Sequence, residues 1–261
     1  MVVLTILIVI WASDHWIRCT HTQICLEGLP SELCGFRIVL LTDLHDAEFG
    51  LEQVDLLNTV ARQKPDIIVF AGDLLDSKFS DVQKALNFME KLGSIAPVYF
   101  VEGNHDFSTG KTLDCPLSQK LKAVGVIYLF NNWVCIERNG QSIILAGVGD
   151  QHSRRDRLDQ ALQGRPANLP CILLSHNPGI FLQAAEKDVN IVLAGHNHGG
   201  QIRLPLLPAL YAPGQGVLPR YDSGLYREGN SCLYLSRGLG HTSILNFRFF
   251  NRPEVAVIVL N

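Results

Sequence analysis

The chain has 261 residues, 47% of them hydrophobic, enough for one large domain with a full core or for two small ones. Lysine and arginine number 22 against 25 aspartate and glutamate, a formal charge of −3, with no basic block along the chain. That balance excludes the electrostatic footprint of a nucleic-acid-binding protein, so no nucleic-acid partner is expected.

Mean hydropathy is +0.16, and part of the excess lies at the start, where residues 1–12 read MVVLTILIVIWA. At ~1.5 Å per residue this run makes a helix of roughly 18 Å, short of the ~30 Å hydrocarbon core. No Lys or Arg precedes it and no clear small-x-small site follows, which argues against a signal peptide. Three readings fit: a short membrane anchor, an interfacial segment, or a buried terminal strand built from the β-branched residues. The expected division is an apolar segment over residues 1–14, a candidate anchor, and a single domain over 15–261. Location at a membrane is the expectation, with the cytoplasm as the alternative. Seven scattered cysteines without a C-x-x-C pair form no disulfide framework. Most look like small apolar core residues, Cys171 among them, in a reducing compartment.

Short apolar runs then alternate with amphipathic segments. FRIVLLTD (36–43) predicts a buried strand, LEQVDLLNTVARQ (51–63) a helix, DIIVFAGD (66–73) a strand, SDVQKALNFMEKLG (80–93) a helix capped by Ser80 or Asp81, and PVYFVEGNHD (97–106) a strand. This rhythm implies crossover connections and a largely parallel sheet. Over 126–150 the strands are closely spaced around Asn139-Gly140, a hairpin signal. CILLSHNP (171–178), a helix near 179–187 and NIVLAGHNH (190–198) resume the alternation. A Pro/Gly-rich stretch over 203–224 comes next, then three strand candidates, SCLYLSRG, SILNFRFF and EVAVIVL. The pattern is one α/β domain of two packed sheets with flanking helices.

The residues just past each apolar run carry the chemistry. The ends bear Asp43 and His45, Asp73, then Asn104, His105 and Asp106, then His176, then His196 and His198. Carboxyl ends of parallel strands converge on one crevice, so these side chains can meet. Taken singly, an Asp after a strand is a cap or turn residue and a His there a structural hydrogen-bonder. Taken together, every such end carrying an oxygen or nitrogen donor points to a metal site. Imidazole, carboxylate and amide oxygen suit Mn, Fe or Zn rather than a thiolate zinc site. A carboxylate can bridge two ions, and two ions can bind one phosphoryl group and activate a shared water. In an extended segment, residues i and i+2 point the same way, so D-x-H and H-x-H can each face the site. Gly195, Gly199 and Gly200 let the backbone turn beside it.

DLH, GDLLD, GNHD, SHNP and GHNHGGQ, in this order, resemble the calcineurin-like metallophosphoesterase family from about residue 36 to 245. The likeness is nearest to a bacterial, often membrane-associated branch of phosphohydrolases of the UDP-2,3-diacylglucosamine pyrophosphatase type. GGQIRLP and LYLSRGLG contribute to that nearer match. Asn197 departs from it, since that branch more often has Thr there; it is expected to point away from the ligands. The resemblance implies a four-layer α/β/β/α sandwich with two mixed sheets. It also implies two divalent ions, one on Asp43, His45 and His198, the other on Asn104, His176 and His196, with Asp73 bridging. His105 then faces the phosphate and protonates the leaving oxygen, and Asp106 orients His105. Asn131, Asn132, Asp150 and Arg237 are further candidates to line the cleft, with turn or surface roles as the alternative; His152 reads as a solvated loop residue.

The implied activity is hydrolysis of a phosphodiester or pyrophosphate by a metal-activated hydroxide. The leucines of 203–224 and the apolar start favour a membrane-associated or nucleotide-linked lipid substrate. A phosphomonoesterase or protein phosphatase on the same metals is the alternative. A non-catalytic scaffold would have lost ligands, and none is missing.

Overall fold

Register explains how residues far apart in sequence reach one place. The structure, a computed structural model, describes residues 11–76, 80–200, 203, 209, 211–212, 216–217, 219–241 and 247–261. The first sheet contains β1 (Arg18–Ile24), β2 (Arg37–Leu41), β3 (Ile67–Ala71), β4 (Val98–Val101), β5 (Ile127–Tyr128) and β14 (Glu254–Leu260), in the order β1-β14-β2-β3-β4-β5. Only the β14–β2 pair is antiparallel. Leu41 lies beside Phe70 and Phe70 beside Phe100, so β2, β3 and β4 end level with one another. Asp43, Asp73 and Asn104 come two to three residues after these ends.

The second sheet contains β6 (Asn132–Arg138), β7 (Gln141–Gly147), β8 (Cys171–Leu174), β9 (Ile191–Ala194), β12 (Gly224–Glu228) and β13 (Ser231–Leu235), in the order β12-β13-β9-β8-β7-β6. Its interior is parallel and both edges are antiparallel. Leu174 pairs with Leu193, which brings His176 and His196 to the same level. A short separate ribbon joins β10 (Tyr211–Ala212) to β11 (Gly216–Val217).

Alternation along the strands sorts the core into layers. Ile38, Leu40, Ile67 and Val69 of the first sheet meet Leu145, Ile172, Leu174 and Leu193 of the second. The opposite faces, Val39, Leu41, Ile68 and Phe70, are covered by α1 (Val54–Arg62), α2 (Val82–Gly93) and α4 (Leu117–Ala123). The outer face of the second sheet, with Ile144, Leu173 and Val192, packs on α5 (Leu158–Leu162) and α6 (Phe181–Ala185). Both faces of the central strands are therefore dry, and those strands read as continuous apolar runs. The result is the expected α/β/β/α sandwich of two mixed sheets.

Several expectations shift. The strand expected over 97–106 stops at Val101, and α3 (Asn104–Gly110) begins at the metal-ligand candidate itself. The Asp106 carboxylate at the third position of α3 accepts from the Gly103 N–H at 3.0 Å, capping the start. Of the SILNFRFF candidate, residues 243–246 lie outside the described residues, and 247–250 carry only an isolated bridge at Phe249. All seven cysteines are free, but only Cys171 and Cys232 are buried, whereas Cys25, Cys34 and Cys135 are exposed. Residues 1–10 and most of 203–218 lie outside the described residues. Among the described residues, no helix is long and apolar enough to cross a membrane.

Candidate metal centre

The strand ends curl rather than extend. Asp43, His45, Asp73, His196 and His198 have φ of 52°, 46°, 54°, 74° and 48°, a left-handed conformation uncommon outside glycine. This revises the reason the D-x-H and H-x-H pairs share a site. Left-handed turns aim them inward, not the alternation of an extended strand. Such strain persists where surrounding contacts enforce it. Here the Asp43 N–H donates to Gly72 O at 2.9 Å, and the His196 N–H donates to both Asp43 carboxylate oxygens at 3.0 and 3.1 Å. Gly195 has to be glycine, because a Cβ there would strike Thr42 Oγ1 and Asp43 Oδ2.

Two buried clusters result. Asp43, His45 and His198 form one, and Asp73, His176 and His196 the other; a third, shallower group joins His45 to Asp76 and His105. His198 Nε2 lies 3.6 Å from Asp43 Oδ1. His176 Nε2 lies 3.2 Å from Asp73 Oδ2, 3.2 Å from Asn104 Oδ1 and 3.0 Å from His196 Nδ1. The same oxygen, Asp73 Oδ2, is 3.5 Å from His45 Nε2. Asp73 thus faces one histidine from each cluster. Both ring nitrogens of His45 are buried without a hydrogen-bond partner, which is costly unless something else binds there. Atoms bound ~2.1 Å from a shared ion stand roughly 3–3.5 Å apart, close to the separations seen. The donor set fits divalent ions.

The outer contacts fix which nitrogen each ring presents. His176 Nδ1 lies 2.9 Å from Ala71 O and His198 Nδ1 3.4 Å from Gly240 O, so in each ring it is Nε2 that faces inward. Burial pushes His45 down to about 4, His196 down to about 3, and His198 well below its ordinary value, leaving neutral imidazoles near pH 7. His176 differs. Burial lowers it, but the Asp73 and Asp43 carboxylates outweigh burial and raise it to about 10. Burial lifts the Asp43 carboxyl to about 6.

His105 lies over the first cluster, its ring 4.6 Å from that of His45. Asp106, expected to orient His105, makes its described hydrogen bonds elsewhere. Asp106 Oδ2 accepts the Asp73 N–H at 2.7 Å as well as that of Gly103, and Asp106 Oδ1 accepts the Leu75 N–H at 3.1 Å. Asp106 therefore ties β3's end to the start of α3. Beside His105 stands Asp76, with Oδ1 3.2 Å from His105 Nδ1. Asp76 closes the GDLLD motif, a signal the sequence already carried.

The other polar candidates divide. Asn131 accepts from the Gly149 and Arg157 N–H groups and donates to Arg155 O, a turn role. Asn132 accepts from the Phe130 N–H. Arg237 donates through its N–H to Glu254 and through its guanidinium to Asn251. Asp150 is fully buried, close enough for its charge to act on His176. His152 is exposed as expected, but its ring stands 6.3 Å from that of His196, on the rim of the centre. Asn197 points away from the ligands, donating to Tyr221 O at 2.8 Å.

Comparison with known proteins agrees with this geometry. Residues 36–200 match the family model described as calcineurin-like phosphoesterase. The chain is 31% identical to the uncharacterized metallophosphoesterase YkuE of Bacillus subtilis, over 96% of this chain and 87% of that protein. It is 34% identical to phosphodiesterase YaeI of Escherichia coli, over 86% of this chain and 82% of that one. A Danio rerio protein named transmembrane protein with metallophosphoesterase domain is 33% identical over 93% of this chain, which spans 57% of that relative's length. Family and residue clusters together indicate a binuclear divalent metal site. The chain belongs to the calcineurin-like phosphoesterase family and is a metallophosphoesterase, a hydrolase of phosphoester bonds.

Proposed function

We propose that the protein hydrolyses a phosphodiester or pyrophosphate bond, with one ion held by Asp43, His45 and His198 and the other by Asn104, His176 and His196. The observation that carries the reading is the position of Asp73 Oδ2 between His45 Nε2 at 3.5 Å and His176 Nε2 at 3.2 Å, where one carboxylate serves both clusters. When bound, the ions supply Lewis acidity to the phosphoryl group and the attacking water. The chain supplies the rest. His105 turns Nδ1 to Asp76, which leaves Nε2 as the atom that carries a proton to the leaving oxygen. Asp76 orients that ring. The name of the Escherichia coli relative supports diester over monoester chemistry.

Bis(p-nitrophenyl) phosphate and p-nitrophenyl phosphate, assayed with added Mn and with a chelator, separate the two chemistries. Chelator-sensitive cleavage of the diester is expected. Cleavage of the monoester alone would replace this reading with a phosphatase.

The substrate class we propose is amphiphilic, a lipid-linked or nucleotide-linked diphosphate met at a membrane surface. The apolar run of residues 1–12 and the leucines of 203–224 support it, as does a relative whose name includes a transmembrane region. Leu206 and Leu207 lie outside the described residues. Changing both to Ser is expected to lower turnover of a lipid-linked diphosphate more than that of a small soluble diester. Equal losses on both would remove the lipid assignment.

A further inference from the structure

Arg248 is the largest fully buried side chain among the described residues, with 0% of its surface exposed. A guanidinium is among the costliest groups to take out of water, and one kept inside is normally paired with a carboxylate. Here no carboxylate lies within ion-pair distance among the described residues. The donors go to main-chain carbonyls instead. Nε donates to Gly240 O at 2.9 Å, Nη2 to Arg237 O at 2.9 Å and also to Gly240 O, and Nη1 to Asn251 O at 3.4 Å. Arg248 therefore fastens the turn at 237–240 from its outer side.

That turn is wedged between two ligand candidates of the first ion. On one flank, the Gly240 N–H donates to Asp43 O at 2.6 Å and the Leu239 N–H to Thr42 O at 3.0 Å. A Cβ on Gly240 would collide with the Leu44 carbonyl, and one on Gly238 would press on the Asp43 side chain. On the other flank, Gly240 O stands 3.4 Å from His198 Nδ1, the contact that turns His198 Nε2 toward the cluster. The same stretch of chain reaches His198 a second time, through Asn251 Nδ2 donating to His198 O at 2.6 Å. One carbonyl oxygen, Gly240 O, thus receives both the guanidinium and the histidine ring.

We infer that Arg248 is a positioning residue for the first of the two ions, acting through the Gly240 carbonyl to hold His198 and through the same turn to hold Asp43. It touches neither metal nor substrate. Its effect falls chiefly on that ion, because the contacts it controls reach Asp43 and His198 directly, while the other set meets this turn only through the His196 N–H on the Asp43 carboxylate, and Asn104 and His176 follow β4 and β8. The guanidinium fixes where Gly240 O stands, so that this oxygen stays aimed at His198 Nδ1. The inference rests on the two-ion reading of the site.

The test counts and titrates metal in wild type, Arg248→Ala and Arg248→Lys, without reference to turnover. Each protein is stripped with chelator and checked for fold by far-UV circular dichroism. It is then titrated with Mn calorimetrically, and its ions per chain are counted by elemental analysis. Wild type is expected to take two ions. The alanine variant is expected to keep one at unchanged affinity and to bind the other roughly 10- to 100-fold more weakly, the usual cost of losing an outer contact of a ligand. Millimolar guanidinium ion added to that variant should recover part of the loss. The lysine variant keeps the charge but reaches fewer carbonyls, and should fall between the two. If the alanine variant does not fold, the lysine variant carries the same comparison. Unchanged affinity for both ions with only an earlier melt would reduce Arg248 to a fold-stabilising residue and overturn the inference. So would equal weakening of both ions. A wild-type chain that binds no pair of ions would instead remove the reading on which the inference rests.

Discussion

His105 and Asp76 test the proton-transfer role most sharply, because neither belongs to either proposed ligand set. His105→Gln is expected to keep both ions and to lower kcat by roughly 10²–10⁴, with KM little changed. Metal analysis beside steady-state kinetics checks this, and loss of an ion on that substitution would make His105 a ligand instead. His176 gives a second prediction, about protons rather than turnover. In the metal-free protein its neighbouring carboxylates hold it up at about 10, so it keeps its proton at pH 7. An ion taking Nε2 must displace that proton, so affinity climbs as pH rises toward 10 and falls in acid. Calorimetric titration with Mn at pH 7, in two buffers of different ionisation enthalpy, should show different apparent heats. Identical heats would mean that no proton leaves and that His176 is not displaced.

At the scale of elements, the turn joining β4 to α3 does two jobs. It delivers Asn104 and His105 to the site, and Asp106 locks it to the end of β3 through three main-chain N–H groups. Asp106→Asn leaves one of those donors facing an amide NH2. A buried donor left without an acceptor costs about 1–3 kcal/mol, so a loss of about 2 kcal/mol is expected in urea unfolding of the chelated protein. A variant of unchanged stability but altered pH–rate profile would return Asp106 to the orienting role. This turn also shows where sequence reasoning stops. FVEGNHD carries the site residues openly, but nothing in it marks where the strand ends, and the helix starts only because Asp106 caps it. β2, β3, β8 and β9 were legible because both their faces are covered and their runs are uniformly apolar. β1 was not, since RCTHTQI is a mostly polar edge strand whose partner, β14, comes more than two hundred residues later. Arg248 carries no local signal at all, because its importance comes from a turn that the fold brings to it.

For the whole molecule, the two sheets bring every proposed ligand to one end, so the centre joins both halves of the sandwich. Asp43, His45, Asp73 and Asn104 come from the first sheet, and His176, His196 and His198 from the second. Metal binding is then linked to folding of the entire domain. Mn at ~100 times its dissociation constant should add about 2.7 kcal/mol, a rise in Tm of roughly 5–10 °C for a chain of this size. Differential scanning calorimetry with and without chelator measures it, and an unmoved Tm would mean that the clusters hold no ion. Diffraction from Mn-soaked crystals at the manganese absorption edge tests the central claim most directly. Two anomalous peaks are predicted on either side of Asp73, one among Asp43, His45 and His198, the other among Asn104, His176 and His196. A single peak, or a pair that leaves Asp73 outside, would contradict the account.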